Sequence, residues 1–346
     1  MPKTIRIALA GLGNVNLNLL RILRSQATLL ADTYGLHFSV VAVCDSSGGA
    51  AAAEGLDIDT LIAHKEAKRG VASLPQGSPS LVAQTIVETI AADVFVEATP
   101  VNLQTGEPGL SAVRTALQKG MHVVLANKGP LALAYPALAL LSDMGGDVTL
   151  PKMRFSACVG GALPTINLGR RDLAGTVIES VEGVLNGTTQ YILRSMEQGG
   201  SYAEALKEAQ ERGLAETDPT LDVEGWDAAN KLTIVANAVL NQPTNVRDFA
   251  VTGITHLTAA DLQAAVANGE RIVLLCRGVR NAQGSYDLSV APTALPSDHP
   301  LARMSGWEMG VVYHTDISGR ASATSAERGP MPTAAAMLRD LIDVGR

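Results

Sequence analysis

The chain has 346 residues, with 27 basic against 34 acidic side chains, a net charge of −7 and an apolar content of 47%. That length accommodates two domains with sizeable cores, the composition excludes a disordered chain, and the lack of a basic cluster argues against a nucleic-acid or membrane-surface binder. No run reaches the roughly 18 to 20 apolar residues of a membrane helix, the N-terminus enters a strand with no signal peptide, and the scattered Cys44, Cys158 and Cys276 read as reduced thiols of a cytoplasmic protein.

Thr4 to Ala10 is a short apolar strand, followed by Gly11-Leu12-Gly13-Asn14-Val15-Asn16 and an apolar-periodic helix from about Leu17 to Leu30. Strand, glycine turn and helix form the context of a dinucleotide fingerprint. Gly11 permits the tight turn and Gly13 lets the backbone approach a pyrophosphate; the third glycine is replaced by Asn16. By itself this imperfect motif is equally an ordinary turn between strand and helix. Phe38 to Cys44 is a second strand, ending at Asp45. An acid at that strand end bonds the ribose hydroxyls of NAD and repels a 2′-phosphate, and neither Arg nor Lys follows in residues 46–49, so NAD is preferred, with NADP as the alternative. Asp45 also reads as a simple turn residue.

Helical segments at 59–68, 81–90 and 109–119 alternate with strands at Asp93 to Ala98 and His122 to Ala126. The alternation predicts an α/β, Rossmann-type, doubly wound parallel sheet over residues 1–150. Thr99-Pro100 and Asn127-Lys128 fall at carboxyl ends of strands, where such sheets bind ligands.

From Thr149 the pattern changes to α+β, expected as a substrate-binding, catalytic and dimerisation domain over 151–320. Met153 to Cys158 reads as strand, and Thr176 to Leu185 as a strand ending at Asn186-Gly187-Thr188-Thr189. A helix over 190–198 follows. Ser201 to Glu211 opens with the capping-box pattern of Ser201 and Glu204. Glu216 to Glu224 is an acidic loop holding Glu216, Asp218 and Asp222. Asp222 is a plausible N-cap of a helix running to about Leu240. On that helix Asp227 and Lys231 share a face, while Thr233, Asn237 and Asn241 mark a polar stripe. Lys231 lies off the stripe, among Val235 and Ala238, and a lysine there needs acids beside it. Held by Asp227, Asp222 and Glu216 it suits proton transfer; spacing alone equally allows a surface pair whose stem covers the core. Strands are expected at 271–278, 286–291 and 311–317, and a last segment, 321–346, ends in a helix packing back on the nucleotide-binding domain.

Together, Gly11 to Val15, Ala126-Asn127-Lys128-Gly129-Pro130, Val184 to Leu193 and the run from Asp218-Pro219 through Asp222, Gly225, Asp227 and Lys231 resemble homoserine dehydrogenase over nearly the whole chain. The resemblance implies NAD(P)-dependent interconversion of L-aspartate 4-semialdehyde and L-homoserine, on the route to threonine and methionine. It implies Lys231 as proton donor and acceptor, with Asp227 beside it and Lys128 at the reacting oxygen and nicotinamide. Glu216 and Asp222 would hold the substrate ammonium, and Gly187 and Thr188 its amino-acid end. Gly11, Gly13, Asn14, Val15, Asp45, Thr99, Pro100, Lys128 and Gly329 would meet the cofactor, and a homodimer is expected. A monovalent-cation loop, for Na+ or K+, would use carbonyls of Val159, Gly161 and Leu163, but Ser156 stands where the family has an acidic ligand, which argues against the ion. Glu327 and Arg328 replace small residues of a turn before Pro332-Thr333. The readings set against this one are a related semialdehyde reductase and a non-catalytic nucleotide-sensing homologue.

Overall fold

A computed structural model describes all residues, 1–346. The chain divides into two compact units, residues 1–161 with 329–346, and residues 162–328.

The first unit is built on a seven-stranded sheet of β1 (Lys3–Ala10), β2 (Leu36–Asp45), β3 (Gly48–Ala51), β4 (Gly77–Ser78), β5 (Val94–Glu97), β6 (His122–Leu125) and β7 (Met153–Arg154) in the order β4-β3-β2-β1-β5-β6-β7. The five strands from β2 to β7 are parallel, and β3 and β4 add an antiparallel edge. The crossovers leave β1 between β2 and β5, so the chain switches direction across the sheet at the end of β1, where ligands of such sheets sit. Strands read as continuous apolar runs because helices cover both faces: Ile7, Leu9, Val94, Val96 and Val124 are buried in one core with Leu19, Leu20 and Leu23. Ala334, Met337, Leu341 and Val344 of the helix Met331–Gly345 complete that core.

Three details differ from expectation. The helix after the glycine turn is two helices, Asn14–Ser25 and Ala27–Tyr34, joined at Gln26. β7, expected to open the second domain, pairs with β6, so the first unit extends past residue 150 to Gly161. Residues 321–326, expected in the C-terminal segment, lie in a strand of the second sheet. Both boundaries were read from changes in local pattern, whereas strand membership is decided by a distant hydrogen-bonding partner.

The second unit carries a six-stranded sheet of β8 (Ile178–Val184), β9 (Ala250–Val251), β10 (Glu270–Arg280), β11 (Tyr286–Pro296), β12 (Glu308–Thr315) and β13 (Gly319–Ala326), ordered β13-β12-β8-β10-β11-β9. All neighbours are antiparallel except β11 and β9. The helix Tyr202–Glu211 opens with the expected capping box of Ser201 and Glu204. Asp222, however, caps nothing: it lies inside a short helix, Thr220–Val223, and Gly225, at φ +83, turns the chain into the helix Trp226–Ala238. That helix is buried nearly all round. Thr233 and Asn237, read as a polar stripe, are inside and satisfy themselves on backbone, Thr233 Oγ1 on Ala229 O at 2.9 Å and Asn237 Nδ2 on Thr233 O and Thr244 O at 2.8 Å each. Short polar side chains that bond the preceding turn need no solvent. No helix of the chain is long and apolar enough to cross a membrane.

Candidate functional site

Two constellations stand out, one in each unit. In the first, a cleft of about 750 Å³ runs along the carboxyl ends of the strands, from Asp45 after β2, past Gly11 to Val15 after β1, to Thr99-Pro100 after β5 and Asn127 after β6. Gly11 has φ +81, and a Cβ there would lie 2.5 Å from Ala98 O, so this turn admits only glycine. A Cβ on Gly13 would meet no protein atom within 4 Å. The helix Asn14–Ser25 starts there with no side-chain cap, leaving its first amides open to an anion. Asn16, in place of the third glycine, is fully buried and ties the turn by donating to Gly11 O at 2.8 Å and Ala10 O at 3.2 Å. The glycines, the uncapped helix start and the cleft together fit a dinucleotide.

Asp45 accepts from Ser47 N at 2.9 Å and from Lys65 Nζ at 2.5 Å. Burial opposes its ionisation, but Lys65 and Ser47 outweigh burial and hold the carboxyl below its ordinary value. Lys65 comes from the helix Ile58–Glu66, twenty residues downstream and outside the 46–49 stretch in which a phosphate-binding cation is expected. Lys128 follows β6 as a half-buried residue at the N-cap of the helix Gly129–Ala139. Gly329, at φ +74, precedes the helix Met331–Gly345 and has no protein atom within 4 Å of a would-be Cβ.

In the second unit the centre is Lys231. Its Nζ lies 2.8 Å from Asp227 Oδ2 and donates to Leu185 O at 2.6 Å, and the two side chains are only 14% and 9% exposed. The bland reading of a solvated surface pair is thereby excluded. Asn186 is the hub that sequence reasoning left without a role: its Nδ2 donates to Asp222 Oδ1 at 2.6 Å and to Asp227 Oδ2 at 2.8 Å, while its Oδ1 caps the helix Gly187–Glu197 by accepting from Thr189 N at 2.8 Å. Burial raises the pKa of Asp222, and the neighbouring Asp227 adds to the rise against the Asn186 bond. Thr188 lies against the same carboxylate and donates to Leu214 O at 2.8 Å. The structure thus brings Gly187, Thr188, Asp222, Asp227 and Lys231 together around Asn186. Glu216 is exposed on its loop and makes no hydrogen bond into this cluster.

Glu327 is the other surprise. It accepts from the amides of Ala162 and Leu163, and Lys231 also favours its charge, although burial leaves the carboxyl above its ordinary value. The segment whose Val159, Gly161 and Leu163 carbonyls were expected to face a cation also offers its Ala162 and Leu163 amides to a carboxylate. No group of three or more His, Cys, Asp or Glu side chains could hold a metal ion.

A family profile described as homoserine dehydrogenase matches residues 164–342, and one described as the NAD-binding domain of homoserine dehydrogenase matches residues 11–146. A homoserine dehydrogenase of Methanocaldococcus jannaschii is 38% identical over 339 residues, covering 98% of each chain. An NAD(+)-dependent homoserine dehydrogenase of Pseudomonas canavaninivorans is 35% identical, over 98% of this chain and 96% of its own. The crystal structure of a homoserine dehydrogenase from Thiobacillus denitrificans matches with a TM-score of 0.83 at 31% identity, over 99% of this chain and 74% of that one.

Proposed function

The chain belongs to the homoserine dehydrogenase family, an NAD(P)-dependent oxidoreductase interconverting L-aspartate 4-semialdehyde and L-homoserine, and from that premise we propose how its residues divide the work. Lys231 carries the proton. This rests on one observation: an ammonium has three N–H bonds, and the two contacts to Leu185 O and Asp227 fix its direction while leaving the third for a substrate oxygen. In reduction Lys231 gives that oxygen a proton; in oxidation it takes the hydroxyl proton back. Asp227 orients the amine, and Asn186 keeps Asp227 and Asp222 in place while offsetting their mutual repulsion. Asp222 takes the substrate ammonium, with Glu216 reaching in from its exposed loop, and Gly187 and Thr188 meet the amino-acid end at the start of their helix. Lys128 is assigned to the reacting oxygen and the nicotinamide.

The cofactor, when bound, supplies or accepts hydride. Gly11, Gly13, Asn14 and Val15 would hold its pyrophosphate, Asp45 its adenosine ribose, and Thr99, Pro100 and Gly329 its nicotinamide half. NAD is the preferred form: Asp45 is ionised, and Lys65 is already engaged by it. The NAD(+)-dependent Pseudomonas relative supports the same preference. Glu327 anchors the turn at 162–163, so neither Na+ nor K+ is needed to order it. Three free cysteines, all buried, fit a reducing cytoplasmic compartment. A homodimer is the assembly we expect.

The test is steady-state oxidation of L-homoserine followed by absorbance of the reduced cofactor, with NAD or NADP, in buffers with and without Na+ and K+. Silence with both cofactors in a folded sample would overturn the reading in favour of a nucleotide sensor. Sedimentation of the same sample decides the dimer.

A further inference from the structure

Glu97 ends β5 and has no part in the assignments above. It is fully buried at the end of an apolar strand, Val94-Phe95-Val96. Its Oε1 accepts from Thr99 N at 2.9 Å and from the Thr99 hydroxyl. Its Oε2 is buried beside Gly109, and only the Asn127 side-chain amide, off ordinary hydrogen-bond geometry, is offered to it. Asn127 in turn donates to Thr99 Oγ1 at 3.2 Å and accepts from Gly129 N at 2.9 Å. Thr99 and Asn127 line the cleft, so the carboxyl stands directly behind its wall. This is the end of the cleft away from Asp45. With the adenosine ribose at Asp45, the nicotinamide falls at the ends of β5 and β6.

A half-satisfied buried carboxyl is an expensive way to brace a turn, since a neutral amide would serve. It differs from an amide in being able to carry charge. The two forms of the cofactor differ by one positive charge on the nicotinamide ring, and a buried charge acts on such a ring with little screening.

We propose that Glu97 is a positioning residue behind the nicotinamide end of the cleft and that, in its ionised form, it favours the cationic oxidised ring over the neutral reduced one. The inference rests on the dinucleotide reading of the cleft. Burial, opposed by the Thr99 bonds and by the Asn127 side chain, pushes the carboxyl up to about 7. Two titratable groups near it keep their charge in that range. The Cys44 thiol, at the end of β2, is raised by burial to about 11 and stays neutral. Asp45 beyond it stays ionised against Lys65, and Lys128 stands in the loop after β6. The end of β1, Ala10-Gly11, and the start of the helix Gly109–Gln118 bring no titratable side chain.

The experiment measures dissociation constants of the whole protein for NADH, by its fluorescence, and for NAD+, by competition, from pH 6 to 8.5. NADP is avoided because its 2′-phosphate titrates. The expected result is that Kd for NAD+ relative to NADH falls roughly three- to tenfold as pH rises through 7. The ratio becomes independent of pH in Glu97→Gln and keeps its slope in Glu97→Asp. A purely structural brace would weaken both forms equally, with no pH term. A flat ratio in the unmodified protein overturns the proposal even if neither variant folds, as does an unchanged slope in Glu97→Gln. Failure to bind either form at any pH overturns the dinucleotide reading itself, and this proposal with it.

Discussion

Lys231→Met keeps the length and apolar stem of the side chain and removes only the ammonium. The loss is a 2.8 Å contact to Asp227 and a 2.6 Å bond to Leu185 O, both in a nearly dry setting. A charge-assisted bond whose partner stays buried is worth about 1.5–3 kcal/mol. Asp227 keeps the Asn186 amide, which holds the combined cost to about 2–4 kcal/mol, near the lower end for breaking a buried pair. For a unit of this size that lowers Tm by roughly 5–15 °C, so the variant is folded at 25 °C. Turnover carries the larger effect: loss of a general acid–base removes a factor of about 10² to 10⁴, or roughly 3–5 kcal/mol of barrier stabilisation. The assay is homoserine oxidation at saturating NAD, with NAD affinity measured separately. We expect kcat to fall at least about a hundredfold. NAD affinity should stay within about twofold, because the cleft is lined entirely by the other unit. A folded Lys231→Met that turns over within tenfold of the unmodified protein would refute the assignment.

Asn186→Ala removes two bonds to carboxylates and a helix cap. It should cost about 1 kcal/mol in the cap alone. It should also push the already raised Asp222 carboxyl higher, moving the onset of activity in a pH–rate profile to higher pH; an unmoved onset counts against Asp222 acting as an anion. Asp45→Ala frees Lys65 for a 2′-phosphate and should improve kcat/KM for NADP relative to NAD by about tenfold or more; an unchanged ratio removes Asp45 from cofactor choice. Asp340, buried and bonded by Ser156 N and Oγ, is raised by burial from 3.8 to about 6. Its folded state holds the proton more tightly than the unfolded state, so this group's stabilisation is complete below the unfolded value and is lost as pH rises through about 6. Asp340→Asn should therefore gain stability relative to the unmodified protein between pH 4 and 7, by at most about 3 kcal/mol, in denaturant titrations; a pH-independent difference would contradict the assigned shift.

The first sheet was legible because its information is local. Each of β1, β2, β5 and β6 is an apolar run closed by a polar or glycine turn, and its short length, β-branched residues and flanking turn separate it from a helix. β3, β4 and β13 were missed for the opposite reason. Gly48–Ala51 and Gly77–Ser78 have no apolar pattern, and Gly319–Ala326 is a run of small and polar residues whose strand state comes from its pairing with β12. The misplaced cap at Asp222 has a local cause: an acid before an apolar run is a good cap signal, yet Gly225 at φ +83 resets the chain direction and starts the helix three residues later.

The site was legible as far as one helix could show it. An Asp and a Lys four apart are visible in any sequence; what distinguishes Lys231 is a backbone carbonyl, Leu185 O, 46 positions away, and a carbonyl has no letter. The same holds for Asp45, whose partner Lys65 stands on another element, and for Glu327, whose partners are main-chain amides. In each case the chain order supplies the charged group and the fold supplies the group that fixes its direction. A lysine able to swing would share its proton with water; one tethered at two of its three hydrogens can present the third to a single oxygen. That constraint, set by Leu185 O and Asp227, is what turns a common i,i+4 pair into a device for directed proton transfer.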